Sequence, residues 1–281
     1  MKIKSIWRYP IKSMAGESLK ESMLSQRGLV GDRSYALHDG RSICSAKKYA
    51  QLMNYSVQYD SEPDGINIPP VTLEIGNTAV NSEDSNLNEL LTREIGTKVT
   101  LDKLRPDDNL EYYRRSKEQQ PIEEIRNVLG LEEGEAFPDF SEFPDSSFEF
   151  STPPGTFFDA YPLLILTTNS LNRLQQLTKG TVIDERRFRP NLLIDADELE
   201  VSFIEEQWRD QFLEIGDTII KLTLPCPRCV MTTIAFQDLK KAPQIMRTLV
   251  QENHHKLGIY GEVIKPGKIQ IGDQAHLTEI A

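Results

Sequence analysis

Short runs in which apolar and polar residues alternate recur along this chain, and they constrain its architecture more than any other feature. Lys2–Tyr9, Arg33–His38, Asn54–Tyr59 and Val71–Ile75 each show the period-2 pattern of a strand with one buried face. The later half adds strands at Leu163–Leu166, Leu192–Ile194 and Ile219–Leu224. Helices are few. One is expected after Ser85 as N-cap, with Leu87, Leu90, Leu91 and Ile95 at helical spacing and Gly96 as its stop. Another carries Leu171, Leu174 and Leu177 on one face and ends near Gly180. The pattern predicts a β-rich α+β fold, with barrel-like mixed sheets and a few peripheral helices, in place of a doubly wound parallel sheet. With no G-x-G-x-x-G and no G-x-x-x-x-G-K, nicotinamide, flavin and ATP sites of those types have no support.

At 281 residues the chain is long enough for one large or two modest cores. Its net charge of −11 has the wrong sign for a nucleic-acid scaffold. The charge is concentrated: Pro106–Phe150 holds thirteen Asp or Glu against four Lys or Arg. The second half of that segment, Asn127–Phe150, has no basic residue and scatters Phe137, Phe140, Phe143, Phe148 and Phe150 among Pro, Gly, Ser and acids. It reads as a long irregular connector, either pinned to the body by its phenylalanines or offered to a partner. The opening MKIKSIWRYPIKS alternates charged and apolar residues, so neither an export signal nor a membrane span is expected there. Three cysteines make no disulfide framework and fit a reducing compartment, so the expected location is cytoplasmic.

Pro225-Cys226-Pro227-Arg228-Cys229 is the strongest local motif. Structural zinc needs four ligands, and beyond this pair only Cys44 and four unclustered histidines remain. A redox dithiol would sit at a helix N-terminus, whereas Val230-Met231-Thr232-Thr233-Ile234 reads as strand. A single reactive or metal-binding thiolate favoured by nearby cations such as Arg228 is the third reading, beside a pair of inert buried thiols. In Asp184-Glu185-Arg186-Arg187-Phe188-Arg189-Pro190-Asn191, Arg186 and Arg187 are expected to pair with the two acids at the surface. Arg189, held before Pro190 at a strand entrance, is either an anion ligand or solvated. Lys12-Ser13 at the end of the first strand, and Arg33 after the turn Gly28-Leu29-Val30-Gly31-Asp32, could offer donors to an anion in the same way.

Taken in order, Y-P-I-K-S, G-L-V-G-D-R, Y-P-L-L-I-L with S-L-N-R-L, F-R-P-N-L, W-x-x-x-F-L-E-I-G-D and C-P-R-C-V-M-T-T resemble the MOSC-domain proteins that carry an N-terminal MOSC β-barrel domain. That family includes the mitochondrial amidoxime-reducing component. The resemblance implies a barrel domain over 1–110 and a MOSC domain over 111–281, the acidic connector 111–150 included. It further implies a molybdenum cofactor (molybdenum-molybdopterin, Moco) with Cys229 as the metal's thiolate ligand, chemically apt for a soft donor. Lys12, Ser13, Arg33, Arg189 and Asn191 would hold the pterin and its phosphate, while Pro227, Arg228 and Tyr260 line the pocket. Asp159 matches a family carboxylate near the metal and becomes a catalytic candidate, as proton donor, although it could equally cap a turn. Two small hydroxyl residues commonly follow that aspartate, and here they are Ala160 and Tyr161, which leaves their backbone N–H groups for the phosphate. The implied activity is reduction of N-hydroxylated compounds. With only Cys44 outside the motif there is no place for an iron–sulfur cluster, so a separate flavin, iron–sulfur or haem protein must supply electrons. The alternative is a carrier of persulfide sulfur or of the cofactor itself, with Cys229 or Cys226 bearing the sulfur.

Overall fold

The computed structural model describes residues 1–116, 121–196 and 199–279. The first strands are β1 (Lys2–Arg8), β2 (Glu17–Leu19), β3 (Glu21–Ser25), β4 (Gly28–Leu29) and β5 (Tyr35–His38). They are followed by β6 (Ser56–Tyr59), β7 (Val71–Ile75), β8 (Thr78–Asn81), helix α1 (Leu87–Ile95) and β9 (Thr100–Lys103). The acidic segment supplies α2 (Leu110–Tyr113), α3 (Ile122–Leu129) and α4 (Ser146–Glu149). Beyond it lie β10 (Leu163–Thr167), α5 (Thr168–Leu177), β11 (Leu192–Asp195), β12 (Phe212–Ile215) and β13 (Thr218–Pro227). The chain ends with α6 (Pro243–Asn253), β14 (Lys256–Lys265), β15 (Gly267–Gln270) and β16 (Ala275–Thr278). The fold is the expected β-rich α+β type. Among the described residues no helix is long and apolar enough to cross a membrane.

An eight-stranded sheet runs in the order β16, β12, β13, β14, β10, β11, β1, β2. One of its faces is filled by Ile3, Ile6, Leu163, Leu192, Ile220, Leu222 and Ile259, and the other is covered in part by α5 and α6. Smaller sheets, β6-β7-β8 and β5-β9, wrap a separate apolar core around Leu37, Leu52, Leu73 and Leu91. Met231 and Phe236, from just beyond the cysteine motif, reach into that core and join the two halves. The sheets do not respect a cut at residue 110. β1 pairs with β11, and β3 pairs with β15.

Several local expectations shift. The helix after Ser85 starts at Leu87 with Asn86 as the flanking residue, and Gly96 closes it at φ 76°, a left-handed conformation that suits glycine. The connector is less irregular than its composition suggests, because α3 runs into it as far as Leu129. Val230–Thr233 is a 3-10 turn, not a strand. Here the Thr232 and Thr233 hydroxyls donate to the carbonyls of Cys229 and Val230, three residues back, and this local bonding outweighs the β preference of branched residues. Arg187 is also not a surface partner of acids. It is buried and donates to the carbonyls of Thr232, Ile234 and Lys240, clamping the turn after Cys229.

Candidate functional site

β13 sets the environment of the two thiols. Its alternation buries Thr218, Ile220, Leu222, Leu224 and Cys226 on one face, so Cys226 continues the core face. The strand ends at Pro227, the Arg228 N–H donates to the His255 carbonyl at 2.7 Å, and Cys229 lies past the last ladder position, half-buried. Sequence position alone thus makes one cysteine internal and leaves the other accessible. Burial pushes the Cys226 thiol up, against the opposing pull of Arg228 and the Tyr260 hydroxyl. Arg228 donates through Nη1 to Cys226 Sγ at 3.0 Å and through Nη2 to the Phe188 carbonyl, while its buried Nε has no acceptor. Cys44 lies in the N-terminal core, where burial pushes its thiol up to about 12. It is inert.

The expected anion-binding side chains converge on this end of the sheet. Lys12 is buried, its Nζ donating to Asp159 Oδ1 at 2.8 Å and to the Phe157 carbonyl at 3.0 Å. Arg33 pairs with Asp32 at 2.8 Å and stacks between the Tyr9 and Phe158 rings. Arg189 lies over the Tyr9 ring with 4.1 Å from its guanidinium carbon to the ring centre. Its Nη1 reaches the Met14 carbonyl and its buried Nη2 finds no acceptor. Ser13, Arg33 and Arg189 have φ of 67°, 49° and 55°, left-handed values that cost a non-glycine residue about 1 kcal/mol or more each.

Electrostatics completes the cluster. Burial pulls Lys12 down to about 8, offset in part by Asp159. Burial pushes Asp159 up, but Lys12, Lys47 and Arg33 outweigh it and hold the carboxyl well below the usual range. Asp159 is therefore ionised and accepts a hydrogen bond, which does not suit the proton-donor role expected of it. Lys47, missed in the sequence because Ser45-Ala46-Lys47-Lys48 resembles any solvated loop, has its ammonium raised chiefly by Cys229, then by Asp159. Arg115 also feels Asp159.

Not every expected residue offers a free group. Asn191 is fully buried, its Oδ1 accepting from Leu164 N at 3.1 Å and its Nδ2 donating to the Trp7 carbonyl at 3.3 Å. Its amide thereby pins β1 to β10. Tyr161 and Tyr260 rings lie 5.1 Å apart, with Ala160 in the same apolar group. A cleft of about 130 Å3 opens between Trp7, Tyr9, Met53, Arg189 and Phe236.

Five cations, Lys12, Arg33, Lys47, Arg189 and Arg228, thus gather with Asp32 and Asp159, and two of them, Lys47 and Arg228, feel Cys229, in a protein of net charge −11. Two buried guanidinium nitrogens there lack acceptors. This donor set fits an anionic, phosphate-bearing cofactor beside a thiolate. Among the described residues no three His, Cys, Asp or Glu side chains are grouped to hold a metal ion by themselves.

Comparison with known proteins gives a consistent picture. Residues 1–94 match the family described as MOSC N-terminal beta barrel domain, and residues 153–276 match the MOSC domain. Over 299 aligned positions the chain is 25% identical to mitochondrial amidoxime reducing component 2 of Rattus norvegicus, covering 98% of this chain and 82% of the relative. Mitochondrial amidoxime-reducing component 1 of Mus musculus is 29% identical over 136 positions, 42% of this chain and 37% of that protein. Among solved structures, the YUAD protein from Bacillus subtilis aligns over 100% of this chain and 96% of that one, with a TM-score of 0.44 and 9% identity.

Proposed function

We propose, from the premise that the chain belongs to the MOSC-domain proteins with an N-terminal MOSC β-barrel domain, that it is a molybdenum-cofactor oxidoreductase reducing N-hydroxylated compounds. The observation that carries the reading is the cation cluster, two of whose members feel an accessible Cys229. Relatives named for amidoxime reduction supply the substrate class. An amidoxime takes up two electrons and two protons, the N–O bond breaks, and amidine and water leave. When bound, the molybdenum centre supplies the two-electron redox capacity and a site for the substrate oxygen.

The chain's own groups divide the remaining work. Cys229 would contribute the soft sulfur donor, with the Lys47 ammonium close enough to feel it. Arg33, Arg189 and the backbone at Ser13 would hold the phosphate and pterin, with the 130 Å3 cleft beside Arg189 as part of the same binding region. The backbone N–H groups of Ala160 and Tyr161, and the pocket wall formed by Pro227, Arg228 and Tyr260, complete the cradle. Lys12, bound to Asp159 in place of an open anion site, is the group able to release a proton near neutral pH, since burial has brought it down to about 8. Asp159, held ionised, keeps the Lys12 ammonium in place at the site.

The test compares wild type with Cys229→Ser, both expressed in a host that makes the cofactor. Near-stoichiometric molybdenum and pterin in wild type, metal lost in the variant with folding intact, and dithionite-driven conversion of benzamidoxime to benzamidine are expected. Full molybdenum loading without benzamidine would sink the reductase reading. The accessible thiol beside Lys47 also favours a second reading, a sulfur carrier, for which a sulfur adduct on Cys229 in metal-free protein is the mass-spectrometric sign.

A further inference from the structure

The acidic segment leaves large apolar side chains uncovered among the described residues. On α3, Ile122 and Ile125 are exposed, and Phe148 on α4 is 59% exposed. Glu123 and Glu124 on the same helix, and Asp145 just before α4, are exposed as well. The inward side, in contrast, is fastened. Leu129, Leu131 and Phe150 are buried, Glu135 pairs with Arg247 at 2.7 Å, and Glu142 pairs with Arg209 at 2.6 Å. A segment anchored this firmly on one side presents its other side in a fixed arrangement, and an apolar centre with a charged rim is the usual anatomy of a protein interface.

Its location gives that surface a purpose. α3 packs against Val230–Thr233, the turn that begins immediately after Cys229. Phe143 stands edge-on to Tyr260, ring centres 6.5 Å apart, and the Tyr260 hydroxyl bonds Cys226. A protein bound on α3 therefore sits beside the thiolate end of the site without entering the small-molecule cleft. Thirteen acids against four basic residues over Pro106–Phe150 place most of the protein's net negative charge here. That field repels an acidic partner and steers a basic one.

We propose that the exposed side of α3 is the docking surface for the electron-delivering protein, and that this partner presents a lysine- or arginine-rich face around its own redox group. The proposal rests on the reductase reading and extends it to the partner's chemistry.

The cofactor-loaded protein is titrated calorimetrically with two probes, cytochrome c, whose haem edge is ringed by lysines, and an acidic flavodoxin. Ionic strengths of about 0.01 M and about 0.15 M are compared, which changes the screening length about fourfold. Cytochrome c is expected to bind at low salt and weaken at high salt, and flavodoxin to show no binding. Glu123→Lys with Glu124→Lys should weaken cytochrome c at least about tenfold. Glu83→Lys with Glu89→Lys, on exposed acids outside the segment, should leave it unchanged. Equal weakening by both double variants, or no binding to wild type at low salt, overturns the proposal. Dithionite-driven benzamidoxime reduction, which needs no partner, is measured on the same samples and should be unaffected in the α3 variant. Its failure in wild type refutes the reductase reading while the titration still reports on the surface.

Discussion

Glu205 gives the sharpest quantitative expectation outside the site. It is completely buried beneath the start of α5, with Thr167 Oγ1 donating to its Oε2 at 2.8 Å and Ser170 Oγ donating to the same oxygen, while Oε1 has no partner. Burial raises it from the ordinary 4.5 to about 7, the two hydroxyls opposing the shift. A folded value above the unfolded one means that the native state binds the proton more tightly. The associated stability is thus complete below about pH 4.5 and is lost as pH rises through about 7. At about 1.4 kcal/mol per pH unit, the displacement corresponds to about 3 kcal/mol as an upper figure. Urea unfolding at pH 5, 6, 7 and 8 tests it, with fluorescence of buried Trp208 in the same 3-10 turn as the probe. Wild type should lose stability across this range, and Glu205→Gln, which cannot ionise, should show a slope smaller by about 3 kcal/mol in total. The absolute stability of the variant is not the readout, because the new amide must find its own acceptor. Parallel slopes for the two proteins would refute the reasoning.

Other expectations concern the site and its supports. Asp159→Asn removes the carboxylate that raises Lys12, so Lys12 should fall further and the alkaline limb of dithionite-driven turnover should move to lower pH. An unchanged pH profile would remove Lys12 from proton delivery. Arg187→Ala strands three carbonyls that its guanidinium now serves and should cost about 3 kcal/mol in denaturant unfolding. Its neighbour Arg186, in partly exposed pairs with Asp184 and Asp238, should cost less when replaced by alanine. Comparable losses for the two would contradict the distinction between clamp and surface pair.

The strands and the cysteine motif were legible because they depend on local pattern. The alternation Thr218 to Cys226 both predicts β13 and explains which thiol points inward. The cation cluster was legible only in part. Lys12, Arg33 and Arg189 stood out through the family resemblance, and nothing local announces that each of the segments carrying Ser13, Arg33 and Arg189 adopts a left-handed backbone. Lys47 was invisible, since its importance comes from a loop that folding brings to Cys229 from far away in the chain. Arg186 and Arg187 look equivalent as letters, yet one faces solvent and the other supports a turn 45 residues later. The β-branched run after Cys229 misled for a physical reason: threonine hydroxyls bonding three residues back compete with a sheet ladder.

The pairing of β3 with β15 and of β1's first residue with Gln274 has a temporal consequence. A ribosome releases the chain from its N-terminus, but the edges these strands need are made from residues near its end. Ile3 bonds to Asp273, a separation of 270 positions, which ranks among the most non-local contacts a chain of 281 residues can make. Lys12 and Ser13, four or more residues beyond β1, therefore follow a strand whose first residues are set only when the region around Asp273 has been made. A chain cut before β15 leaves the outer edge of β3 bare and open to aggregation.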